Sequence, residues 1–436
     1  MTEARFAGEG DDTLAADGAA SAAAAKTPAR SWYALAILTV TFMIAQTDRL
    51  ALSILMEPIK REMHLSDKQL GLLAGLAFAA FYMTLGIPLA RLADRSSRVK
   101  LISACLGLWS VMVALTGMAR NFPQLFLARM GVGIGEAGCI PSSHSLISDL
   151  FTPRRRTLAM SIFQTGSVAG QAGGLFVIGL LAQHFGWRLS LQIVGLAGLP
   201  LALLAVLTMR EPPRPKTKAQ TKESAWSAIS ALARRRTFVN LALGYGLSTF
   251  CTSGLQQWTP TFLIRSFGLN MAQVGAWAGA SVALGGILGT LSGGVVATWL
   301  VTRRPRWEPW IPAAAYALAW PCYTLLYLSP TVWMALAMKA IAGYFAAGGA
   351  AVAWSAVQSL TEPHRRATAA SIVLFISSLL GMGLGPYLIG YVSDVLTARI
   401  GPEGLRYALA LTCGLLAWAT LHYALSARRQ PSDTAR

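Results

Sequence analysis

Charged residues are scarce in this chain. They make up 13% of the 436 residues, and hydrophobic residues make up 54%. Globular domains carry about 25% charged residues. The five cysteines fall in apolar segments without the spacing of a metal site or a redox pair, which indicates packed core residues. This composition excludes an ordinary soluble domain and predicts a polytopic membrane protein with no metal site.

Catalytic strings are absent as well. The sequence contains no Gly-x-Ser-x-Gly, His-Glu-x-x-His or P-loop string. Residues 133–138 have the glycine spacing of a dinucleotide site, but no strand precedes them and they lie in an apolar segment. We therefore expect neither enzyme activity nor a cofactor. Because no ATP site is present, we expect an ion gradient, preferably of protons, to supply the energy.

Long apolar segments are what the chain has in abundance. A helix needs about 20 apolar residues to cross a hydrocarbon core of about 30 Å. The twelve candidate segments lie approximately at residues 32–56, 69–92, 99–119, 122–148, 157–184, 187–208, 237–264, 271–301, 310–329, 331–359, 367–393 and 405–426. The predicted fold class is therefore an all-α integral membrane protein with twelve transmembrane helices.

The basic residues are distributed unevenly among the loops. Of the 37 lysines and arginines, 26 fall in the termini and alternate loops, eight in the other loops, and three within the apolar segments. Loops rich in Lys and Arg stay in the cytoplasm. We therefore predict a multi-pass protein of the inner (plasma) membrane with both termini cytoplasmic. Since topology explains most of the net charge of +18, a nucleic-acid partner is not indicated; we expect a monomer with a small-molecule or lipid substrate.

A shift of 210 residues aligns the two halves of the chain. It pairs residues 153–162 with residues 363–372 and places Arg129 opposite Lys339. Two parallel six-helix halves with a central substrate site are typical of rocker-switch transporters. The predicted organisation is a disordered tail at 1–31, an N-terminal bundle at 32–208, a cytoplasmic linker at 209–236 with a short surface helix over 224–232, a C-terminal bundle at 237–427 and a tail at 428–436.

Several strings resemble those of the major facilitator superfamily. Gly86–Lys100 is similar to its signature loop between spans 2 and 3, and Arg129–Ala137 is similar to its span-4 motif. Shorter strings resemble the spinster branch, in its bacterial type: Asp48-Arg49, Gly135-Glu136-Ala137, Asp149-Leu150-Phe151, Gly186-Trp187-Arg188 and Ser393-Asp394. The resemblance implies the major facilitator fold. From the animal members it also implies the export of lysolipids and sphingoid phosphates.

Four ionisable residues lie deep in spans 1 and 4. A charged side chain at such a position costs about 2.5–3.5 kcal/mol by insertion scales, so each is a functional candidate. We interpret Asp48 and Glu136 as the protonation switch, with Arg49 and Arg129 as their counter-ions. An anionic substrate that competes for the arginines frees the acids to take protons, which couples the two fluxes. The structural alternative is a static ion-pair cluster that locks spans 1 and 4.

Lys339 is the third buried cation. It either binds the anionic group of the substrate from the opposite wall or extends to the membrane surface. Gln256 and Gln257 are weaker candidates for the same wall. Residues 166–174 of span 5 are similar to the antiporter motif of the superfamily, with Gln171 in place of its usual proline, which weakly favours export.

Three charged residues follow span 2 and begin span 3. Asp94, Arg95 and Arg98 are able to form charge-assisted hydrogen bonds with helix ends across the bundle. We predict that they form a cytoplasmic gate, which holds the inner side shut in the outward-open state. The alternative is that they act only as topology determinants.

The sequence thus predicts a proton-coupled secondary active transporter that works by alternating access. Its predicted substrate is an anionic amphiphile such as a lysophospholipid or a sphingoid phosphate, moved in the direction of export. A carrier of small organic or sugar acids is the alternative, since the same arginines bind such acids. Two other classes of protein are further alternatives. An intramembrane enzyme would change the lipid chemically. A channel or scramblase would carry a flux that is insensitive both to a pH gradient and to the state of Glu136.

Overall fold

The computed structural model describes residues 28–213, 225–304, 307–362 and 365–433, and within these ranges all regular structure is helical. The helices are α1 Ala29–Met63, α2 Asp67–Ala74, α3 Leu76–Arg95, α4 Arg98–Met118, α5 Phe122–Ala137, α6 Cys139–Leu150, α7 Pro153–Thr208, α8 Ala225–Arg234, α9 Arg236–Phe267, α10 Met271–Arg303, α11 Trp310–Leu328, α12 Val332–Ser359, α13 Arg366–Ile376, α14 Gly385–Ile400 and α15 Gly404–Asp433. A π-helical stretch, Ser377–Leu384, joins α13 to α14. Residues 1–27 of the predicted tail over 1–31, residues 214–224 of the linker and residues 434–436 lie outside the described residues.

Eight helical stretches of the described chain are long and apolar enough to cross a membrane. Two of them, of 54 and 62 residues, far exceed the length of about 20 residues that one crossing needs. Glycines with positive φ mark the turns within these stretches, Gly186 at 75° and Gly401 at 76°. The all-α membrane fold is confirmed, and the count of twelve crossings stays a prediction. The predicted surface helix over 224–232 is confirmed as α8.

The helix boundaries follow local capping chemistry. In each half a capping box opens the second crossing: Ser66 with Gln69 begins α2, and Asn270 with Gln273 begins α10. The predicted span 4 is interrupted at Gly138, where α5 ends and α6 begins. Because α5 ends one residue after Glu136, this carboxylate lies next to a break in the helix.

The internal repeat is visible in the hydrogen bonds. Arg98 donates to Ser145 Oγ at 2.9 Å and to Asp149 Oδ2 at 2.5 Å. The residues 210 positions later are Glu308, Ser355 and Ser359. In that half Glu308 accepts from both serine hydroxyls, at 2.9 and 2.7 Å. The same three positions are therefore linked in both halves, with the charge of the central residue inverted.

The halves pack together at the end of the bundle where α1 and α9 finish, called here the remote end. Helices α7 and α10 approach closely there through Gly179 and Gly275, since a Cβ on either glycine would meet a carbonyl oxygen of the other helix, at Met271 or Leu175. Between pairs of described residues, the ion pairs that join the halves are confined to Arg265 at this end. The described halves are therefore closed against each other at the remote end.

Candidate functional site

The four deep charges of spans 1 and 4 come together between α1 and α5. Arg49 Nε donates to Glu136 Oε2 at 2.6 Å. Asp48 and Glu136 are each 1% exposed and Arg129 is 4% exposed. Arg129 lies within electrostatic range of both carboxylates. The structure thus brings together all four residues that the sequence predicted, as a cluster of two cations and two acids.

Hydrogen bonding within this cluster is incomplete. Both carboxylate oxygens of Asp48, Oε1 of Glu136 and Nε of Arg129 are buried and have no hydrogen-bond partner among the described residues. Buried polar groups of folded proteins are ordinarily paired, so unpaired ones require an explanation. A carboxylate with an unpaired oxygen is able to take a proton, and a guanidinium with an unpaired N–H is able to bind an anion. The geometry of the cluster therefore suits both proton uptake by the acids and anion binding by the arginines.

Aromatic and glycine residues hold the arginines in place. The guanidinium carbons of Arg49 and Arg129 lie 5.2 and 5.8 Å from the ring centroid of Phe78. Such cation–π contacts fix the plane of each guanidinium at little desolvation cost. Gly133, one turn after Arg129, allows α5 to approach α3, because a Cβ there would clash with the backbone of Phe78. The small residue in the span-4 motif therefore allows Arg129 to approach the ring.

A cavity lies between the halves and is lined by the arginines. Arg49 and Arg129 form its wall in the N-terminal half, and Gln256 and Gln257 contribute to the opposite wall. Neither Asp48 nor Glu136 is among the described residues that line it. The arginines therefore separate the carboxylates from the cavity.

A chain of amides and a hydroxyl crosses from one half to the other beside this cavity. Gln256 Nε2 donates to Gln171 Oε1 at 3.0 Å, and Gln171 Nε2 donates to Ser167 Oγ at 3.1 Å. Gln46 Nε2 donates to the same hydroxyl at 2.6 Å. The residue that departs from the antiporter motif, Gln171, thus bonds to the C-terminal half.

Lys339 does not line the arginine cavity. It lines a second cavity within the C-terminal half, formed by α9, α10, α11 and α12. Gln256 lines both cavities, so they are adjacent. Lys339 therefore faces an internal cavity of its own half.

The three residues of the predicted gate have different surroundings. Arg98 is 3% exposed, and its Nε donates to Glu211 Oε1 at 2.7 Å. Its ion-pair partners are Asp149 of the N-terminal half and Glu211 at the start of the linker. Arg95 is exposed, and the side chain of Asp94 lies outside the described part. The gate role stays a prediction, since it concerns a state in which the cytoplasmic end is closed, whereas this structure is closed at the remote end.

Glu211 lies outside the spans, directly after α7. Partial burial alone would raise the pKa of its carboxyl group, but hydrogen bonds from the Arg98 guanidinium, the Val99 N–H and the Ser97 hydroxyl outweigh this effect and hold the pKa below its ordinary value. The carboxylate therefore joins the end of α7 to the start of α4.

The remote end contains an ion-pair cluster that the sequence did not reveal. Arg265 of α9 donates to Glu57 Oε2 at 2.6 Å and to both oxygens of Asp67, at 2.7 and 2.8 Å. Ser393 donates to Asp67 Oδ2 at 2.6 Å. The carboxylate of Asp394 accepts the backbone N–H groups of residues 67 and 68, at 2.9 and 2.8 Å. Residues from both halves thus hold the remote end closed.

Sequence comparison identifies the family of this fold and site. The pattern of the Major Facilitator Superfamily matches residues 38–386. The chain belongs to this superfamily. Its members are transporters, and the all-helical fold agrees with that of solved superfamily structures. The chain is accordingly a membrane transporter and not an enzyme.

Several relatives of this superfamily member are of the spinster type. The chain is 32% identical over 388 residues to an MFS-type efflux pump of Mycolicibacterium smegmatis, covering 88% of this chain and 89% of the relative. It is 28% identical over 422 residues to the human protein spinster homolog 1, covering 89% and 78%. A crystal structure of a bacterial homolog of the human lysosomal transporter spinster, inward-facing and unoccupied, superposes with a TM-score of 0.86 at 31% identity, covering 94% and 99%. The predicted spinster resemblance is confirmed.

Proposed function

We propose that the chain is a proton-coupled secondary active transporter of an anionic amphiphile, such as a lysophospholipid or a sphingoid phosphate. The observation that carries this proposal is the Arg49–Glu136 ion pair, in which the arginine lines the cavity between the halves and the buried acid lies behind it. The anion binds to the arginine of this pair, and the proton binds to the glutamate. The two events are therefore thermodynamically linked.

The linkage follows from charge balance. The cluster of Asp48, Arg49, Arg129 and Glu136 is neutral when both acids are ionised. An anion that binds the arginines from the cavity leaves an excess negative charge among buried groups, which favours protonation of Glu136 or Asp48. Conversely, a proton on Glu136 releases Arg49 to bind the anion. We assign the proton-coupling role to the two acids and the substrate-binding role to the two arginines.

Two observations support an amphiphile. The cavity next to the arginine cavity contains Lys339 but is otherwise uncharged and is lined in part by small apolar residues, including Gly343, Ala346 and Ala350, which leave room for a hydrocarbon portion. The resemblance to the spinster branch implies lysolipids for its animal members. The proposed direction is export. It is supported by residues 166–174 of span 5, which are similar to the antiporter motif, and by the relative that is named an efflux pump.

Small organic or sugar acids are the second candidate. The observation that favours them is the hydrogen-bonded chain of Gln46, Ser167, Gln171 and Gln256 beside the arginines. Amide and hydroxyl groups recognise hydroxyl-rich ligands, whereas a hydrocarbon chain makes no use of them. A thermal-shift screen in detergent separates the two candidates. Lysophospholipids and sphingoid phosphates should stabilise the protein but not its Arg129→Ala variant, and stabilisation by sugar acids alone would overturn the lipid assignment.

We place the transporter as a monomer in the inner membrane, with both termini cytoplasmic. The excess of Lys and Arg in the loops on the side of the termini supports this orientation. In this orientation the remote end is the outer side, so we expect the closure described above to shut the transporter to the outside. The cytoplasmic gate of Asp94, Arg95 and Arg98 is expected to hold the inner side shut in the outward-open state.

Proton uptake on ligand binding tests the proposed linkage. Lysophosphatidate is added to the purified protein in weakly buffered detergent solution, and the change in pH is recorded with an indicator. The wild type should take up protons as the anion binds, and Glu136→Gln should take up fewer, because one of the two linked acids is gone. Equal uptake by the two proteins, or none by the wild type, contradicts the assignment of Glu136.

A further inference from the structure

The second cavity combines one charged residue with a neutral lining. Of the described residues that line it, only Lys339 carries a charge. The others include hydroxyl groups of Thr252, Ser281 and Tyr323. No described residue forms an ion pair or a hydrogen bond with Lys339. A cation within an apolar helical bundle is thus left without a counter-ion.

The internal repeat explains why the counter-ion is missing. The 210-residue shift relates Lys339 to Arg129, and it relates Ala346 to Glu136. Ala346 lines the same cavity as Lys339. In the N-terminal half the cation is accompanied by a carboxylate seven residues later, and in the C-terminal half that carboxylate is replaced by a methyl group. The second half therefore keeps the cation of the site without its acid.

The charge balance of the two halves differs for this reason. The N-terminal cluster contains two arginines and two acids, whereas Lys339 has no counter-ion among the described residues. Lys339 is half-buried, so its charge has lost part of its hydration, and an anion of the ligand that binds beside it offsets this loss. The anion needs no competition with a protein carboxylate to bind there, in contrast to an anion at Arg49.

The lining supplies a second hydrogen-bond donor and free space. The hydroxyl of Tyr323 has no hydrogen-bond partner among the described residues. In contrast, the hydroxyls of Thr252 and Ser281 already donate to backbone carbonyl oxygens, at 2.8 Å each. Small residues such as Gly286 leave room for the carbon portion of a ligand. The cavity therefore offers an ammonium and a phenol to an acidic group.

We propose that the cavity around Lys339 is a second anion-binding site, which binds the phosphate or carboxylate group of an organic ligand and takes no part in proton coupling. It rests on the proposed function only for the identity of the transported molecule. Because Gln256 lines both cavities, a ligand anchored at Lys339 is adjacent to the arginine cavity. Each half thus binds an anion, and one of the two sites is proton-linked.

Ligand titrations with matched variants test this site. Lysophosphatidate, glucuronate and an uncharged monoacylglycerol are titrated calorimetrically in non-ionic detergent. Hydrogen bonds to charged groups contribute about 1.5–3 kcal/mol, so Lys339→Met should weaken binding of at least one of the two acids by about ten- to a hundredfold. Lys339→Arg should retain most of the affinity. The exposed cation Arg120 provides the control, since Arg120→Met should bind as the wild type does, and monoacylglycerol should not distinguish the proteins.

A gain of negative charge provides an independent variant. Ala346→Glu restores the carboxylate that the repeat lacks and should suppress anion binding in this cavity, as Lys339→Met does. Wild-type affinity in both Lys339→Met and Ala346→Glu, or no binding of either acid to the wild type, overturns the proposal. Proton uptake distinguishes it from the proposed function. If binding depends on Lys339 but no protons are taken up, proton coupling is contradicted and the Lys339 site stands. If proton uptake depends on Glu136 but binding does not depend on Lys339, the Lys339 site is contradicted and proton coupling stands.

Discussion

Removal of Arg265 should open the remote end of the transporter. In the closed state this side chain donates three hydrogen bonds to two acids of the other half, Glu57 and Asp67. Asp67 is fully buried and keeps its bond from Lys60 Nζ at 2.6 Å when Arg265 is lost. In a state with the remote end open, the same groups face water. The Arg265→Met change therefore penalises the closed state selectively.

The magnitude follows from the bonds that are lost. A hydrogen bond to a charged group has a net value of about 1.5–3 kcal/mol. Because Lys60 and Ser393 continue to compensate Asp67, we count one bond to each of the two acids at the lower value, which gives about 3 kcal/mol. Each 1.4 kcal/mol corresponds to about a tenfold change in an equilibrium constant. The ratio of closed to open remote ends should accordingly fall by about a hundredfold.

Distances between spin labels measure this ratio. The native cysteines are buried apart from the half-buried Cys322, so labels on Arg120→Cys and Arg399→Cys in a Cys322→Ser background report the separation of the halves. Arg265→Met should shift the distance distribution to longer values. The matched control is Arg188→Met, which breaks the exposed ion pair with Glu62 inside one half and should leave the distribution unchanged. A distribution for Arg265→Met that matches the control refutes the assignment of the cluster as a gate.

Two other changes give distinct outcomes. Gly275→Leu places a side chain against the Leu175 carbonyl of the other half. It should therefore prevent the remote end from closing and lengthen the distance between the same two labels. An unchanged distance contradicts the tight approach of α7 and α10. Glu211→Gln should lower stability at neutral pH by about 1.5 kcal/mol. Because the pKa of Glu211 is lowered in the folded state, its contribution is present above its ordinary pKa and is lost as the pH falls through the lowered value. The melting temperatures of wild type and variant should therefore differ at pH 7 and converge in acid, and a difference that persists in acid contradicts this origin.

Much of the fold was predictable because membrane insertion imposes strong patterns. Long apolar segments and the distribution of Lys and Arg are local features, and they sufficed for the all-α fold. The deep charges were also identifiable one by one, since each stands out in an apolar segment. Their mutual pairing was only partly predictable: Arg49 bonds to Glu136, whereas the oxygens of the adjacent Asp48 have no hydrogen-bond partner among the described residues.

Contacts between distant segments were not predictable in the same way. Glu57, Asp67, Arg265 and Asp394 lie near the ends of different helices, where charged residues are common and no spacing connects them. Glu308 is a different case, because the 210-residue shift applied to Arg98 leads directly to it. The signal was present in the sequence, but the inverted charge concealed the equivalence. The separation of Lys339 from the arginine cavity depends on helix packing, which the sequence pattern does not encode.

Coupling of transport to protons by Glu136 is tested by the flux of a labelled lysophospholipid in liposomes, measured with and without an imposed pH gradient, for the wild type and for Glu136→Gln. We predict that the gradient changes the wild-type flux, and that Glu136→Gln responds far less to the gradient while still binding the lipid. A Glu136→Gln flux that follows the gradient as the wild type does would contradict this prediction.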